Sequence, residues 1–374
     1  MITTPFRVFL LLLSFYLIYS SMSSQADINK EKVLTANNYF FLCIYAVYVL
    51  KIFFDLYFDE PAKAGQYYWT TEKYLWFVMI PGVLTIILTI RYIDYALVLK
   101  MALFVCFFGN VASLFNMNFQ GGQNMGRMQI GENIQLLNSI SLGQFGTSAA
   151  LLGISQWNRK SNIRIFKIFI GILIILGLIL IAKAGSRGPI ISMAVPVLVY
   201  ISARQKNPLF GFIVCGLVGL LGYLFIDYIF QLISYISPVL ENRFQRTLLE
   251  GDLGREQLFN DALQEFYKYP LGGGYFMVPY RCYSHNMILD AFMTFGIFGG
   301  CIFAIMLLLS VVHAYKVMHA EYSDSQWISL IFLQFLCANM TSGAFYINMP
   351  LIATIIILFT LPILSRNDLK TENR

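Results

Sequence analysis

The chain has 374 residues, of which 58% are apolar and 12% charged, with a net charge of +6. Charged residues at about half the ~25% usual for soluble domains exclude a soluble enzyme and point to a polytopic membrane protein. Short basic connections between apolar runs account for most of the positive balance, which therefore calls for no nucleic-acid partner.

Apolar runs long enough to cross a bilayer follow one another along the chain. In order they cover 6–19, 39–57, 74–90, 93–115, 140–157, 163–182, 189–203, 208–230, 286–312, 327–345 and 350–364. The first is short enough to be a signal-peptide core, but no small-residue cleavage site follows it cleanly, and it is counted as a span. The expected fold is an all-α polytopic membrane protein of about 11–12 transmembrane helices. It forms a single integral membrane domain over 1–374, and residues 231–285 make one large outward-facing loop containing a short amphipathic helix.

Lysine and arginine in short loops set the orientation. Arg159, Lys160, Arg164 and Lys167 flank one connection, Arg204 and Lys206 occupy another, Lys316 marks a third, and Arg366, Lys370 and Arg374 decorate the tail. All fall on one face if the spans from the fifth onward are right, and that face is expected to be cytoplasmic. The turn around Arg187 and the long loop then face outward. Eleven spans place the amino terminus outside, which Arg7 does not favour, so either a further crossing lies near the start or the first run does not span. Five of the six cysteines lie within apolar runs; Cys282 alone is expected outside, without a partner. There is no disulfide framework and no Cys/His spacing for zinc, so no structural metal is expected.

The long loop carries the chemistry. Residues 253–269 have helical periodicity, with Leu258, Ala262 and Phe266 beside Phe259, Leu263 and Tyr267 on an apolar face. Asp252 precedes the segment as an N-cap, and Tyr269-Pro270 stops it. Such a helix is too short to span and would lie on the membrane surface or on the span bundle. Arg255 falls in its first turn, where a guanidinium and free backbone N–H groups both address an anion. The plainer alternative is a bridge from Arg255 to Glu241, Asp252 or a lipid headgroup. Gly272-Gly273-Gly274 is a turn rather than a phosphate loop, since no Gly-Lys-Ser/Thr follows. It is expected to return the chain so that His285 comes near Arg255.

His285, at the mouth of the run starting at 286, has the proton affinity of a general base. Its alternative role is to cap the helix that Asn286 begins. Asp290, one turn on, is placed to orient it. Arg187 lies in Ser186-Arg187-Gly188-Pro189, a break between two apolar runs, where an arginine is costly unless it meets an anion, water or, by snorkelling, headgroups. Lys183 shares either role. Lys51, Asp55, Asp94, Lys100 and Asp227 sit near span ends and read as anchors or intramolecular pairs.

Taken as an ordered set, these residues resemble the O-antigen polymerase and O-antigen ligase superfamily. The resemblance rests on Ser186-Arg187-Gly188, two spans, Gly254-Arg255 opening a helix, Pro270-Leu271-Gly272-Gly273-Gly274, His285-Asn286, and Gly296 through Gly299-Gly300; it covers 185–300. It implies a bacterial inner-membrane, multi-pass glycosyltransferase, active on the periplasmic face, that needs neither metal nor cofactor. The donor would be an undecaprenyl-diphosphate-linked glycan, with Arg187 and Arg255 holding the diphosphate and His285 as the base. Lys183, Arg281, Asn286 and Asp290 are supporting candidates. The remaining partners are a saccharide acceptor, membrane lipids and, as a candidate, a chain-length regulator protein. Polymerisation of repeat units is favoured by analogy; the alternative is ligation of the finished glycan to lipid A-core. A lipid-linked sugar flippase is a third reading from a different class. It would be expected to show internal repeats and polar groups at the midplane, whereas here the polar chemistry lies on one face.

Overall fold

The computed structural model of the chain describes residues 34–58, 68–90, 93–119, 128–130, 138–157, 163–205, 208–224, 253–274, 283–320 and 325–371, together with 228, 231, 235, 238, 241 and 245. The expected first span, Asp227, Asp252, Arg281, Cys282 and, within the 231–285 loop, the stretches 246–252 and 275–282 lie outside the described residues. What is described is an all-α polytopic membrane protein. Five helices among the described residues are long and apolar enough to cross a membrane: Ala36–Phe58, Thr71–Thr89, Tyr95–Asn116, Arg164–Ala184 and Met287–His319. Phe58, Phe115 and Ile165 lie on outer surfaces with more than two-thirds of their area uncovered, as expected for side chains whose solvent is lipid.

In chain order the helices are α1 (Ala36–Phe58), α2 (Tyr68–Tyr74), α3 (Ile80–Thr89), α4 (Tyr95–Asn116), α5 (Ser139–Trp157), α6 (Arg164–Ala184) and α7 (Arg187–Ala203). They continue as α8 (Pro208–Leu224), α9 (Leu253–Lys268), α10 (Met287–His319), α11 (Gln326–Ser342) and α12 (Met349–Thr371). A π-turn, Leu75–Met79, joins α2 to α3. Among the described residues the strands are a short antiparallel ribbon, Met117–Phe119 against Met128–Ile130. Its strands are too short for alternation to show in the sequence.

The chain divides into two compact units. The first draws on Met1–Ile93, Gly254–His313 and Asn339–Arg374. Its core is aromatic: Tyr48 contacts Phe295 and Phe303, and Phe303 meets Phe345 edge-on at 4.9 Å. Polar clasps join its segments, with Asn38 donating to Thr360 Oγ1 and Thr71 paired with the Tyr346 hydroxyl. Lys51 and Asp55 form an ion pair one turn apart, an intramolecular pair as the sequence suggests.

The second unit draws on Asp94–Leu253 and Ala314–Ala338. Asp94 caps α4, accepting from the Ala96 and Leu97 N–H groups. Helices α5 and α6 touch backbone to backbone. A Cβ on Gly146 would stand 2.7 Å from Gly177 O, and one on Gly177 would stand 2.5 Å from Gly146 O. Close approach at small residues is how helices associate in lipid, where no hydrophobic gradient drives them together. A buried polar cluster then ties α5 to α7 and α11. Gln144 Nε2 donates to Ser192 Oγ and Thr147 Oγ1 to Pro189 O; Gln334 Nε2 donates to Gln144, and Ser148 Oγ to Gln334 Oε1. This cluster fixes the first turns of α7, the helix that Arg187 begins.

Candidate functional site

Both expected anion-binding arginines open helices. Helix α6 ends on Gly185, whose left-handed backbone (φ 63°) only glycine adopts without strain, and whose N–H bonds to Ala182 O. Ser186 is extended, and Arg187 is the first residue of α7. Arg255 is the third residue of α9. Each side chain is half-buried. A cation in the first turn of a helix opposes the helix dipole, at about 0.3–1 kcal/mol. At α7 no side chain caps the helix start, so its first N–H groups and the Arg187 guanidinium are together suited to an anion. Glu256, also in the first turn of α9, follows the ordinary dipole preference and is exposed. Lys183 lies in the last turn of α6, where its charge suits the dipole without a ligand.

The first unit contains Arg255, His285, Asn286 and Asp290, and here the local geometry is most specific. Asn286, not His285, caps α10: its Oδ1 accepts the Ile288 and Leu289 N–H groups at 3.0 and 3.2 Å, and its Nδ2 donates to Met340 O. The alternative of His285 as the cap is thereby corrected. An asparagine oxygen reaches the second and third N–H of a helix with little strain, and the ring one position earlier is left for other work. Asp290 does not bond the imidazole either. Its Oδ1 accepts from Ser284 N–H and Ser284 Oγ–H, each at 2.7 Å. Any influence of Asp290 on His285 therefore runs through the neighbouring residue, not through the ring.

His285 has φ 62°, the one positive φ among the described non-glycine residues. That conformation costs about 1–2 kcal/mol in a residue with a Cβ. Its ring leans on Tyr283, with centroids 4.6 Å apart. Its Nδ1 is buried and has no hydrogen-bond partner among the described residues. Burial, and secondarily the Arg255 guanidinium, hold its proton affinity below the ordinary histidine range. A histidine so placed is neutral at pH 7 and able to take a proton. The Arg255 guanidinium is thus within electrostatic reach of His285. His313 and His319 contrast with it, each donating Nδ1–H to a carbonyl, of Leu309 and Ala203 respectively.

The glycine turn supplies the architecture that supports this neighbourhood. Helix α9 lays Leu258 and Ala262 against Leu289 and Met293 of α10, and Phe266 meets Phe292 edge-on. Tyr267, expected on the same apolar face, is largely exposed. After α9, Gly272 turns the chain back. At Gly296 the helix α10 breaks (φ 66°, ψ −164°), in a region of backbone space open essentially to glycine. Ile297 N–H, which a continuous helix would give to Met293 O, goes instead to Pro270 O at 2.9 Å. Met293 O receives Gly273 N–H at 3.1 Å. One helix bond is thus exchanged for two bonds to the turn. A Cβ on Gly296 would stand 2.4 Å from both Leu271 C and Pro270 O.

Arg187 and Lys183 belong to the second unit, and Arg281 lies outside the described residues. Among the described residues no group of three or more His, Cys, Asp or Glu could hold a metal. Sequence reasoning missed Ser284 and did not explain Gly296. The signal for the first was a serine two residues before a helix cap; for the second it was a glycine inside an apolar run facing a glycine turn.

Residues 171–304 match the family model described as O-antigen ligase. The matched stretch runs from within α6 to within α10 and includes Arg187, Arg255 and His285. No curated protein matches the chain.

Proposed function

We propose, for a membrane protein that carries an O-antigen ligase family segment over residues 171–304, that it is a glycosyltransferase of O-antigen-type glycan assembly. In this reading it polymerises undecaprenyl-diphosphate-linked oligosaccharide repeat units on the periplasmic face of the inner membrane. Arg187 and Arg255 hold the donor diphosphate, each through a guanidinium that offers two parallel N–H donors to phosphate oxygens. His285 takes the proton of the acceptor hydroxyl as that oxygen attacks the anomeric carbon. The bond from that carbon to the diphosphate oxygen breaks, and the arginines stabilise the charge left on the lipid diphosphate. With two cations in that role no divalent ion is required, and EDTA should leave transfer unchanged.

The observation that carries this reading is His285 itself: strained, within electrostatic reach of Arg255, and with a buried Nδ1 that has no hydrogen-bond partner among the described residues. A buried polar atom left so is costly in a purely structural role. A chain-length regulator protein remains a proposed partner.

A second reading, ligation of the finished glycan to lipid A-core, is favoured by the description of the matching family. Glycan profiling of a deletion strain complemented with wild type, Arg255→Ala or His285→Ala separates the two. Loss of the ladder with single repeats still on lipid A-core supports polymerisation. Loss of all surface attachment, with long chains stranded on the lipid carrier, supports ligation. An unchanged profile with either variant rejects both.

A further inference from the structure

Ser284 and Asp290 are both fully buried, where the chain enters α10. A buried carboxyl group is costly unless donors reach it; Asp290 Oδ1 receives two, both from Ser284, and Oδ2 has no partner among the described residues. Ser284 Oγ in turn accepts the Asn286 N–H at 3.2 Å, a short loop of bonds that closes around His285. Asn286 is fixed on its other side by its own cap bonds and by Met340 O. The residues before and after His285 are therefore both anchored. The ring between them leans on Tyr283 and has no hydrogen bond at Nδ1 among the described residues. The direction of the imidazole is then set chiefly by its backbone, whose positive φ would relax if either anchor were lost.

We infer that Ser284 and Asp290 are positioning residues that aim His285 by clamping the backbone around it, not by bonding or charging its ring. This rests on His285 being the base. The clamp is a matter of hydrogen-bond acceptance, so an amide oxygen at position 290 serves as well as a carboxylate oxygen.

The test uses the full-length protein in liposomes with an undecaprenyl-diphosphate-linked repeat unit as substrate. It measures kcat per folded molecule and donor KM for wild type, Asp290→Ala, Asp290→Asn, Ser284→Ala and His285→Ala. Misplacement of a base by about 1 Å costs up to ~10²-fold, so Asp290→Ala should lose at least about tenfold in kcat at unchanged KM. Asp290→Asn should stay within about threefold of wild type, with the acidic limb of its pH profile unmoved. A merely structural role would lower the amount of folded protein and leave kcat per folded molecule alone. Where Asp290→Ala does not fold, Ser284→Ala, which removes one of the two bonds, should still lower kcat at unchanged KM. Full kcat in Asp290→Ala or, failing its folding, in Ser284→Ala overturns the clamp. So does an Asp290→Asn as impaired as Asp290→Ala, which would mean that the charge itself acts. An active His285→Ala sinks the base and the clamp together, whereas an inactive His285→Ala beside a fully active Asp290→Ala sinks the clamp alone.

Discussion

Two buried polar clusters of this protein invite comparison. In the second unit, Gln144, Thr147, Ser148, Ser192 and Gln334 match donor to acceptor across α5, α7 and α11. At the mouth of α10, in the first unit, bonds are as short, yet His285 Nδ1, Asp290 Oδ2 and, one turn further on, Thr294 Oγ1 have no partners among the described residues. A satisfied network rigidifies. An unsatisfied group is costly and calls for a role. The first cluster is read as scaffold, and the second as the frame that holds His285.

The comparison breaks most visibly at Gly296. Gly296→Ala puts a methyl 2.4 Å from backbone atoms of the turn and forces an alanine into glycine-only backbone space. A loss of more than about 3 kcal/mol is expected from clash and strain together. Immunoblots of membranes and unfolding in detergent should show little folded protein. Removal of the proposed base comes next: His285→Ala should reduce transfer by about 10²–10⁴-fold while membrane levels stay at those of wild type.

Arg255→Lys should cost roughly 10–100-fold in kcat/KM, since an ammonium keeps the charge but loses the planar fork. Full activity in that variant would argue against diphosphate binding at this residue. The pH profile sharpens the picture. His285 has its proton affinity lowered by burial and by Arg255, and in the proposed role of base it works in the neutral form. The acidic limb of kcat/KM should therefore lie below the ordinary histidine value of ~6.5, with activity constant through neutral pH and lost on acidification. Smallest is the scaffold effect. Gln334→Leu should lower stability by about 1–2 kcal/mol, read as an earlier unfolding transition, and leave kcat per folded molecule unchanged.

Much of this was legible in the sequence, for physical reasons. Helices in lipid satisfy their own backbones, so apolar run lengths report their bounds: the run 93–115 became Tyr95–Asn116 and 140–157 became Ser139–Trp157. Helix α9 was readable from its apolar spacing. What escaped depends on who bonds whom across short distances. Asn286 and His285 are both plausible caps by residue type, and only geometry assigns the cap to Asn286. Asp290, one turn from His285, invited a direct bond; Ser284 intercepts it. Gly296 looked like one more small residue in an apolar run, because nothing local in a sequence marks a helix bond traded for two to a distant turn.

The account stands most directly on one measurement: chain growth by the purified protein in liposomes, on an undecaprenyl-diphosphate-linked repeat unit, comparing wild type with His285→Ala at equal folded protein. Growth by the wild type in the presence of EDTA, with a loss of two orders of magnitude or more in His285→Ala, is the expected result. Equal rates from the two proteins would contradict it, and would leave the strained, incompletely bonded histidine without the role proposed for it.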